Sequence, residues 1–296
     1  MSEQPARIVI TDSGLGGYSI CAGLAARYAG HPLELIYFNA QPEYDGGYNS
    51  LSGLEQQLRV FDNALLAMQQ RCQPHCIAIA CNTLSVLYPQ TQFARQAPLP
   101  VFDIINCGVE MILATAAADP TADILILGTL ITIKSQAHRK KLLAAGIPAA
   151  RIFEQSCHRI ALMLEHDLHS HEMEMLLESY LVEACQRLPD PQRPLLAALC
   201  CTHYPYIQDT FQRLLQKHHP GPVALLNPNQ AFTALPGLVP ENSQPDGRPA
   251  AVSVLSLVPF PPDTRQNIST AVAGISPACA AALQNYQLIP DLFAIT

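Results

Sequence analysis

Two short segments of the chain share a pattern that could move protons. Residues 77–85 read IAIACNTLS and residues 196–205 read LAALCCTHYP. Each is an apolar, strand-like run ending in cysteine, then polar residues that include threonine: Cys81-Asn82-Thr83 and Cys201-Thr202-His203. Each cysteine falls just before an expected helix, whose first turn offers unpaired N–H groups and a positive dipole end. Such surroundings lower a thiol's pKa from about 8.5 toward neutrality, and the same donors can hold a carboxylate. Two activated thiols around a carboxylate suit one kind of reaction. Inverting a carbon centre removes a proton from one face and returns one to the other, so a base and an acid must oppose each other across the substrate. Two cysteines can trade these roles with the direction of reaction. No cofactor is required if fixed donors stabilise the carbanion-like transition state. One strand-end cysteine is ordinarily a small buried hydrophobe. Two matching turns, with Asp12-Ser13 at a third strand end, favour chemistry.

Helpers for a thiol can be sought nearby. Asp12, in a glycine-rich turn, could accept a hydrogen bond and relay a proton, or could cap a helix beginning near Gly16. His203 has an ordinary pKa near about 6.5, suited to shuttling protons around neutrality. Gly14, Gly16 and Gly17 form a tight turn that lacks the spacing of a dinucleotide-binding loop. The cluster Cys72, His75 and Cys76 has no second pair at ligand spacing, so no metal site is expected. Strand alternation sends Cys200 and Cys201 to opposite sides. Cys107 and Cys157 read as core.

These residues need a scaffold. Apolar runs of strand length occur at 7–11, 33–38, 76–80, 101–105, 123–128, 151–153, 195–200 and 223–226. Helical patterns separate them, at 18–28, 52–70, 108–117, 135–145, 158–169, 172–187 and 206–218. In 52–70 the apolar positions Leu54, Leu58, Phe61, Leu65 and Met68 recur three and four apart. Ser52 and Glu55 there read as a capping box. Strands alternating with helices predict an α/β fold with parallel sheets, and such sheets bind ligands at the carboxyl ends of their strands. Beyond Phe232 the chain turns rich in Pro, Ser and Asn, with a loop at 240–249, a last strand at 252–258 and a helix at 277–287.

Composition narrows the function classes. The 296 residues are 49% hydrophobic and only 14% charged, which excludes a largely disordered chain. The formal net charge is −7 and no basic block stands out, so no nucleic-acid partner is expected. The apolar runs are too short for a membrane span and the start does not read as a secretory signal. The ten cysteines in so long and apolar a chain point to a reducing cytoplasm rather than a disulfide scaffold. The expected partner is a small molecule.

Four segments, TDSGLGG, ACNTLS, GTLITIKS and CCTHYP, resemble in order and spacing the signature segments of glutamate racemase, in the aspartate/glutamate racemase superfamily. The resemblance runs from Ile8 to about Asn227. It implies two pseudo-symmetric parallel-sheet α/β domains with the active site between them, drawn as residues 1–100 plus 206–296 and residues 101–205. It implies a cofactor-independent racemase that makes a D-amino acid for peptidoglycan synthesis, with an amino acid as partner and a homodimer as one candidate assembly. Cys81 and Cys201 would be the acid/base pair. Asp12 would assist Cys81, and His203 and Glu165 would assist Cys201. Asp12, Ser13, Gly46, Gly47, Asn82, Thr83, Thr132, Thr202 and His203 would bind substrate. Glu165 is carried over from the stretch QSCHRIALMLEH.

The chain also departs from that pattern. In the family, the loop corresponding to residues 37–50 carries an acidic residue, a basic residue and Pro-Tyr-Gly, and helps hold the substrate's side-chain carboxylate. Here the matching positions are Ala40, Glu43 and Asp45-Gly46-Gly47. Glu43 and Asp45 add negative charge where an anion would dock. Cys200 replaces a glycine and His138 a tyrosine. A different amino acid, neutral or cationic, is therefore the alternative substrate. A superfamily isomerase or decarboxylase, and a non-enzymatic binding protein using the tail beyond Phe232, are the alternative functions.

Overall fold

The computed structural model describes residues 5–43, 47–240, 245 and 247–296. The chain divides into two compact units, Met1–Ile104 with Thr233–Thr296, and Ile105–Phe232. Each is built on a parallel sheet, as the alternation of apolar strands and amphipathic helices requires.

The strands of the first unit are β1 (Ala6–Asp12), β2 (Leu33–Asn39), β3 (Cys76–Ile79) and β4 (Val101–Asp103). Those of the second are β5 (Asp123–Gly128), β6 (Ile152–Ser156), β7 (Leu195–Cys200) and β8 (Val223–Leu226). The chain then returns to the first unit with β9 (Ala251–Ser256) and β10 (Gln287–Leu288). The first sheet has six strands in the order β10-β9-β2-β1-β3-β4, and the second has four in the order β6-β5-β7-β8. All pairings among these strands are parallel. Every residue of β3, β5 and β7 is buried, as strands covered by helices on both faces must be.

The two sheets share a wiring. From β1 the chain steps to β2 on one side, then crosses to β3 on the other; from β5 it steps to β6, then crosses to β7. Each sheet therefore has a switch point, between β1 and β3 and between β5 and β7. Open parallel sheets hold ligands at such points, beyond the carboxyl ends of the strands.

Several sequence expectations need correction. The second unit extends to Phe232 rather than ending at 205, because β8 pairs with β7 and the helix Gln208–His218 connects them. The capping box at Ser52 does not form. Gly53, at φ 85°, is the cap of the helix Leu54–Ala67, and Gln56 reaches back to the Ser52 N–H and hydroxyl. The helix expected at 135–145 runs from Ala137 to Ala144, and a separate short helix that was not expected, Leu130–Ser135, precedes it, the two broken at Gln136 with φ 55°.

The tail beyond Phe232 is part of the first unit and not an appended element. β9 adds to the free edge of β2 over six residue pairs. The helices Pro262–Ala273 and Pro277–Gln284 follow it. Tyr18 donates to the Cys279 carbonyl at 2.6 Å, and the Cys21 and Cys279 thiols share a hydrogen bond. Leu292 and Phe293 close the core over β2, with Phe293 against Phe38. Among the described residues no helix is long and apolar enough to cross a membrane.

Candidate active site

At the first switch point, β1 ends in Asp12 and β3 leads through Ala80 to Cys81. The Ala80 N–H donates to Thr11 and the Ala40 N–H to Asp12, so the ends of β1, β2 and β3 lie level. Asp12 is buried. One of its oxygens accepts the Ser13 N–H at 2.6 Å and the other the Gly17 N–H at 2.7 Å. It therefore shapes the glycine-rich turn and caps the helix Tyr18–Arg27, whose cap residue is Gly17. That turn delivers Ser13, whose hydroxyl lies 3.2 Å from the Cys81 sulfur. Gly17 is where the chain can spare no side chain. A Cβ there would stand 2.7 Å from the Ala80 Cβ and 2.7 Å from an Asp12 oxygen. Gly17→Ala should therefore destabilise the fold by about 1–3 kcal/mol and dislodge Asp12, which chemical denaturation against the parent protein would detect.

Cys81 itself caps the short helix Asn82–Leu87 in extended conformation. Its sulfur receives the N–H groups of Ser13 and Leu84 and shares a hydrogen bond with the Ser13 hydroxyl. These donors do not lower the thiol's pKa overall, contrary to the sequence expectation. Burial drives it well above the ordinary value, and the neighbouring Asp12 charge adds to the rise. A helix of six residues also supplies little dipole to oppose them. Asn82 and Thr83 are buried behind Cys81, and the Asn82 amide nitrogen has no hydrogen-bond partner among the described residues.

At the second switch point, β7 ends at Cys200 and the chain turns through Cys201, Thr202 and His203 into the 3-10 helix Tyr204–Ile207. His203 Nδ1 lies 3.8 Å from the Cys201 sulfur, and its Nε2 lies 2.7 Å from Glu165 Oε1. Glu165 comes from the helix Ile160–His166, which follows β6. Cysteine, imidazole and carboxylate thus form one buried chain. Burial opposes a charge on His203, but its hydrogen bonds to Cys201 and Glu165 and the Glu165 charge outweigh that. Its pKa is raised well above the ordinary value. His203 is therefore an imidazolium at neutral pH rather than a group poised to titrate there, as its residue type alone suggests.

A raised folded-state pKa has a defined sign in stability. The unfolded ring titrates near about 6.5, so the linked stabilisation is complete below that pH and is lost as pH rises through the folded midpoint. Glu165→Gln removes the charge that favours the imidazolium. The His203 ring resonances should then titrate at lower pH than in the parent. The stability gap between the two proteins should be widest near about pH 6 and shrink on the alkaline side.

Thr202 is fixed by its backbone, whose carbonyl accepts from the Asn229 side chain at 2.9 Å. Thr132 is buried at the carboxyl end of β5. The Thr129 side chain caps its helix by accepting the Thr132 N–H, and the two hydroxyls lie 3.0 Å apart. Around Cys81 the structure thus gathers Asp12, Ser13, Asn82 and Thr83, and around Cys201 it gathers Glu165, Thr202 and His203. Thr132 stands at the neighbouring strand end. Gly47 is buried at φ 51°. Gly46 and Asp45 lie outside the described residues. Glu43 is exposed and accepts a hydrogen bond from the Ser50 hydroxyl.

The cysteine and histidine of the 72–76 cluster have separate occupations. His75 accepts the Arg7 N–H, and Cys76 donates to the Leu238 carbonyl. Burial pushes the Cys76 thiol up to about 12. Two residues near the sites gave no signal in the sequence. Asn229 follows a strand that ends the resemblance, and only its bond to Thr202 reveals it. Tyr48 is a fully buried tyrosine packed in the same side-chain cluster as Cys81.

Comparison with known proteins agrees with this architecture. The chain is 26% identical over 211 residues to the glutamate racemase of Aquifex aeolicus (strain VF5), covering 71% of this chain and 76% of that one. It is 26% identical over 272 residues to the glutamate racemase of Koribacter versatilis (strain Ellin345), covering 90% and 87%. The fold superposes on the crystal structure of Francisella tularensis glutamate racemase in complex with D-glutamate, with a TM-score of 0.71, 20% identity and 97% of each chain covered. The model of the Asp/Glu/Hydantoin racemase family matches residues 18–235, and with both switch points furnished as described, the chain belongs to that family.

Proposed function

We propose that the protein is a cofactor-independent amino-acid racemase, with glutamate as the leading substrate, in which Cys81 and Cys201 exchange acid and base roles. The observation that carries this reading is that each sheet holds one cysteine at its switch point, each with its own proton-handling neighbours. The glutamate assignment is supported by the relatives' activity and by the Cys-Thr-His-Tyr-Pro segment.

The neighbours give the two thiols different characters. Cys81 sits beside the Asp12 carboxylate and deep in the first unit, surroundings that keep its proton on. Cys201 sits beside an imidazolium held by Glu165, which is the arrangement a proton-accepting sulfur needs. In one direction Cys201 removes the α-proton and Cys81 delivers one to the opposite face. In the other the roles reverse, with Asp12 assisting Cys81 to lose its proton and His203 and Glu165 assisting Cys201. Ser13, Asn82, Thr83, Thr132, Thr202 and Gly47 hold the substrate's polar groups. The departures in residues 37–50 favour a second reading, a racemase for an amino acid with another side chain.

The test is incubation of the purified protein with each enantiomer of glutamate, and of a panel of other amino acids, in deuterated water with no cofactor. Early product should carry deuterium at the α-carbon while unreacted substrate does not. No exchange with any amino acid, together with carbon dioxide release or double-bond migration from another carboxylic acid, would replace the reading with a different reaction of the superfamily.

A further inference from the structure

The loop after β2 contributes a polar group that none of the described residues satisfies. Tyr48 is only 2% exposed, and its hydroxyl has no hydrogen-bond partner among the described residues. A buried, unpaired hydroxyl costs stability that a phenylalanine would not. Its placement is nonetheless firm. The ring meets Phe61 edge to face at 6.3 Å, and Gln57 donates to its backbone carbonyl at 2.9 Å. Tyr48 packs in one cluster with Phe38, Ala40, Cys81 and Leu84, at the carboxyl ends of β2 and β3.

A second unsatisfied donor lies on the same side of the first unit, the Asn82 amide nitrogen next to Cys81. Two unpaired donors, brought by different elements to one cysteine, point to a ligand rather than to a packing fault. The two reach it from different directions. Asn82 follows Cys81 in the chain and so belongs with the groups nearest the reacting carbon. Tyr48 comes from the neighbouring loop on a long side chain, and so meets a part of the ligand further from that carbon. Residues 37–50 contain no lysine or arginine, so this stretch offers a side-chain oxygen no cationic partner, and a neutral hydroxyl is the donor left to meet it. Burial, and then the nearby Cys81, hold the phenol's pKa well above its ordinary value, so at working pH it is a donor.

Resting on the reading of the Cys81 site as an amino-acid site, we propose that the Tyr48 hydroxyl donates a hydrogen bond to an oxygen on the side chain of the bound amino acid and selects for substrates that carry one. The selection follows from the same imbalance. A substrate lacking that oxygen leaves the hydroxyl as unpaired as it is in the free protein, whereas one carrying it satisfies the donor.

Tyr48→Phe removes one oxygen and keeps the ring. Three measurements test the proposal on the intact protein. The melting temperature without ligand should be unchanged or higher in the variant. The stabilisation by D- and L-glutamate should weaken, with an apparent Kd raised about 10- to 100-fold. The stabilisation by norvaline, which has a similar chain and no side-chain oxygen, should be the same in both proteins. An equal response of parent and variant to glutamate, an equal loss for glutamate and norvaline, or a melting temperature lowered by several degrees without ligand would each overturn it. The α-proton exchange assay separates this from the racemase reading. Exchange in the parent with no Tyr48 effect sinks only the tyrosine's role. Glutamate binding that depends on Tyr48 without exchange sinks only the racemase. A parent protein that no amino acid stabilises sinks both.

Discussion

Cys81→Ser and Cys201→Ser should each lose about 10²–10⁴-fold in racemisation, in both directions, while keeping the parent's fold. Serine matches the shape of cysteine but holds its proton far more tightly, so it can neither accept the α-proton nor return one at a useful rate. The fold should survive because a serine side chain fits the same place and its hydroxyl can take over the hydrogen bonds that the Cys81 sulfur makes with Ser13 and Leu84. The two variants should differ in what remains. Each keeps one working thiol and so one face of the carbon, and solvent exchange without inversion should persist for opposite enantiomers in the two proteins. Either variant racemising at the parent's rate ends the two-base mechanism. The pH dependence has a fixed sign too. With its pKa raised by burial and by Asp12, Cys81 needs alkaline solution to act as the base. The kcat for the enantiomer that Cys81 deprotonates should therefore keep rising above neutrality.

The sites were legible where chemistry sits at the end of an apolar run. Cys81 and Cys201 announce themselves because β3 and β7 are uninterrupted buried strands, and polar residues directly beyond such strands have little structural reason to be there. The wiring of the sheets then places them at the switch points, which residue spacing alone cannot do. Glu165 shows what spacing hides. It lies 38 residues from His203 in sequence, and only the course of the chain after β6 brings them to 2.7 Å. The protonation states were misread for a related reason. Residue type gives a starting pKa, but burial of Cys81 beside Asp12 and the pairing of His203 with Glu165 move both groups away from it. Tyr48 was invisible because a tyrosine after Gly-Gly reads as part of a turn, and an unpaired hydroxyl is a property of packing. The helix Pro262–Ala273 was missed because its buried positions, Thr264, Ile268, Ser269 and Val272, are too few and too polar to show an apolar stripe. Its stability comes from packing, as is usual for weak helix formers.

Removing residues 233–296 should prevent the first unit from folding and abolish all turnover, although every proposed catalytic residue remains. β9 pairs with β2 over six of that strand's seven residues, from Glu34 opposite Ala251 to Asn39 opposite Ser256. Without it, β2 becomes an exposed edge, and a long apolar edge is a site for aggregation. The loss extends into the core. Ile268, Val272, Cys279, Leu283 and Leu292 are all fully buried, and each large apolar side chain lost from such a core costs about 2–5 kcal/mol. A few such losses exceed the total stability of an ordinary domain, about 5–15 kcal/mol. The Asn39 side chain also loses the Ser256 hydroxyl, to which it donates at 3.0 Å at the strand end beside Asp12. The truncated chain should appear in the insoluble fraction on expression, or show a collapsed circular-dichroism signal where soluble material is recovered. A soluble, folded truncation with normal turnover would mean that the tail is the dispensable interaction element its Pro- and Ser-rich sequence suggests, and that β2 can stand as an edge. The buried Phe293 ring against Phe38 argues for the opposite: the end of the chain closes the unit that carries Cys81.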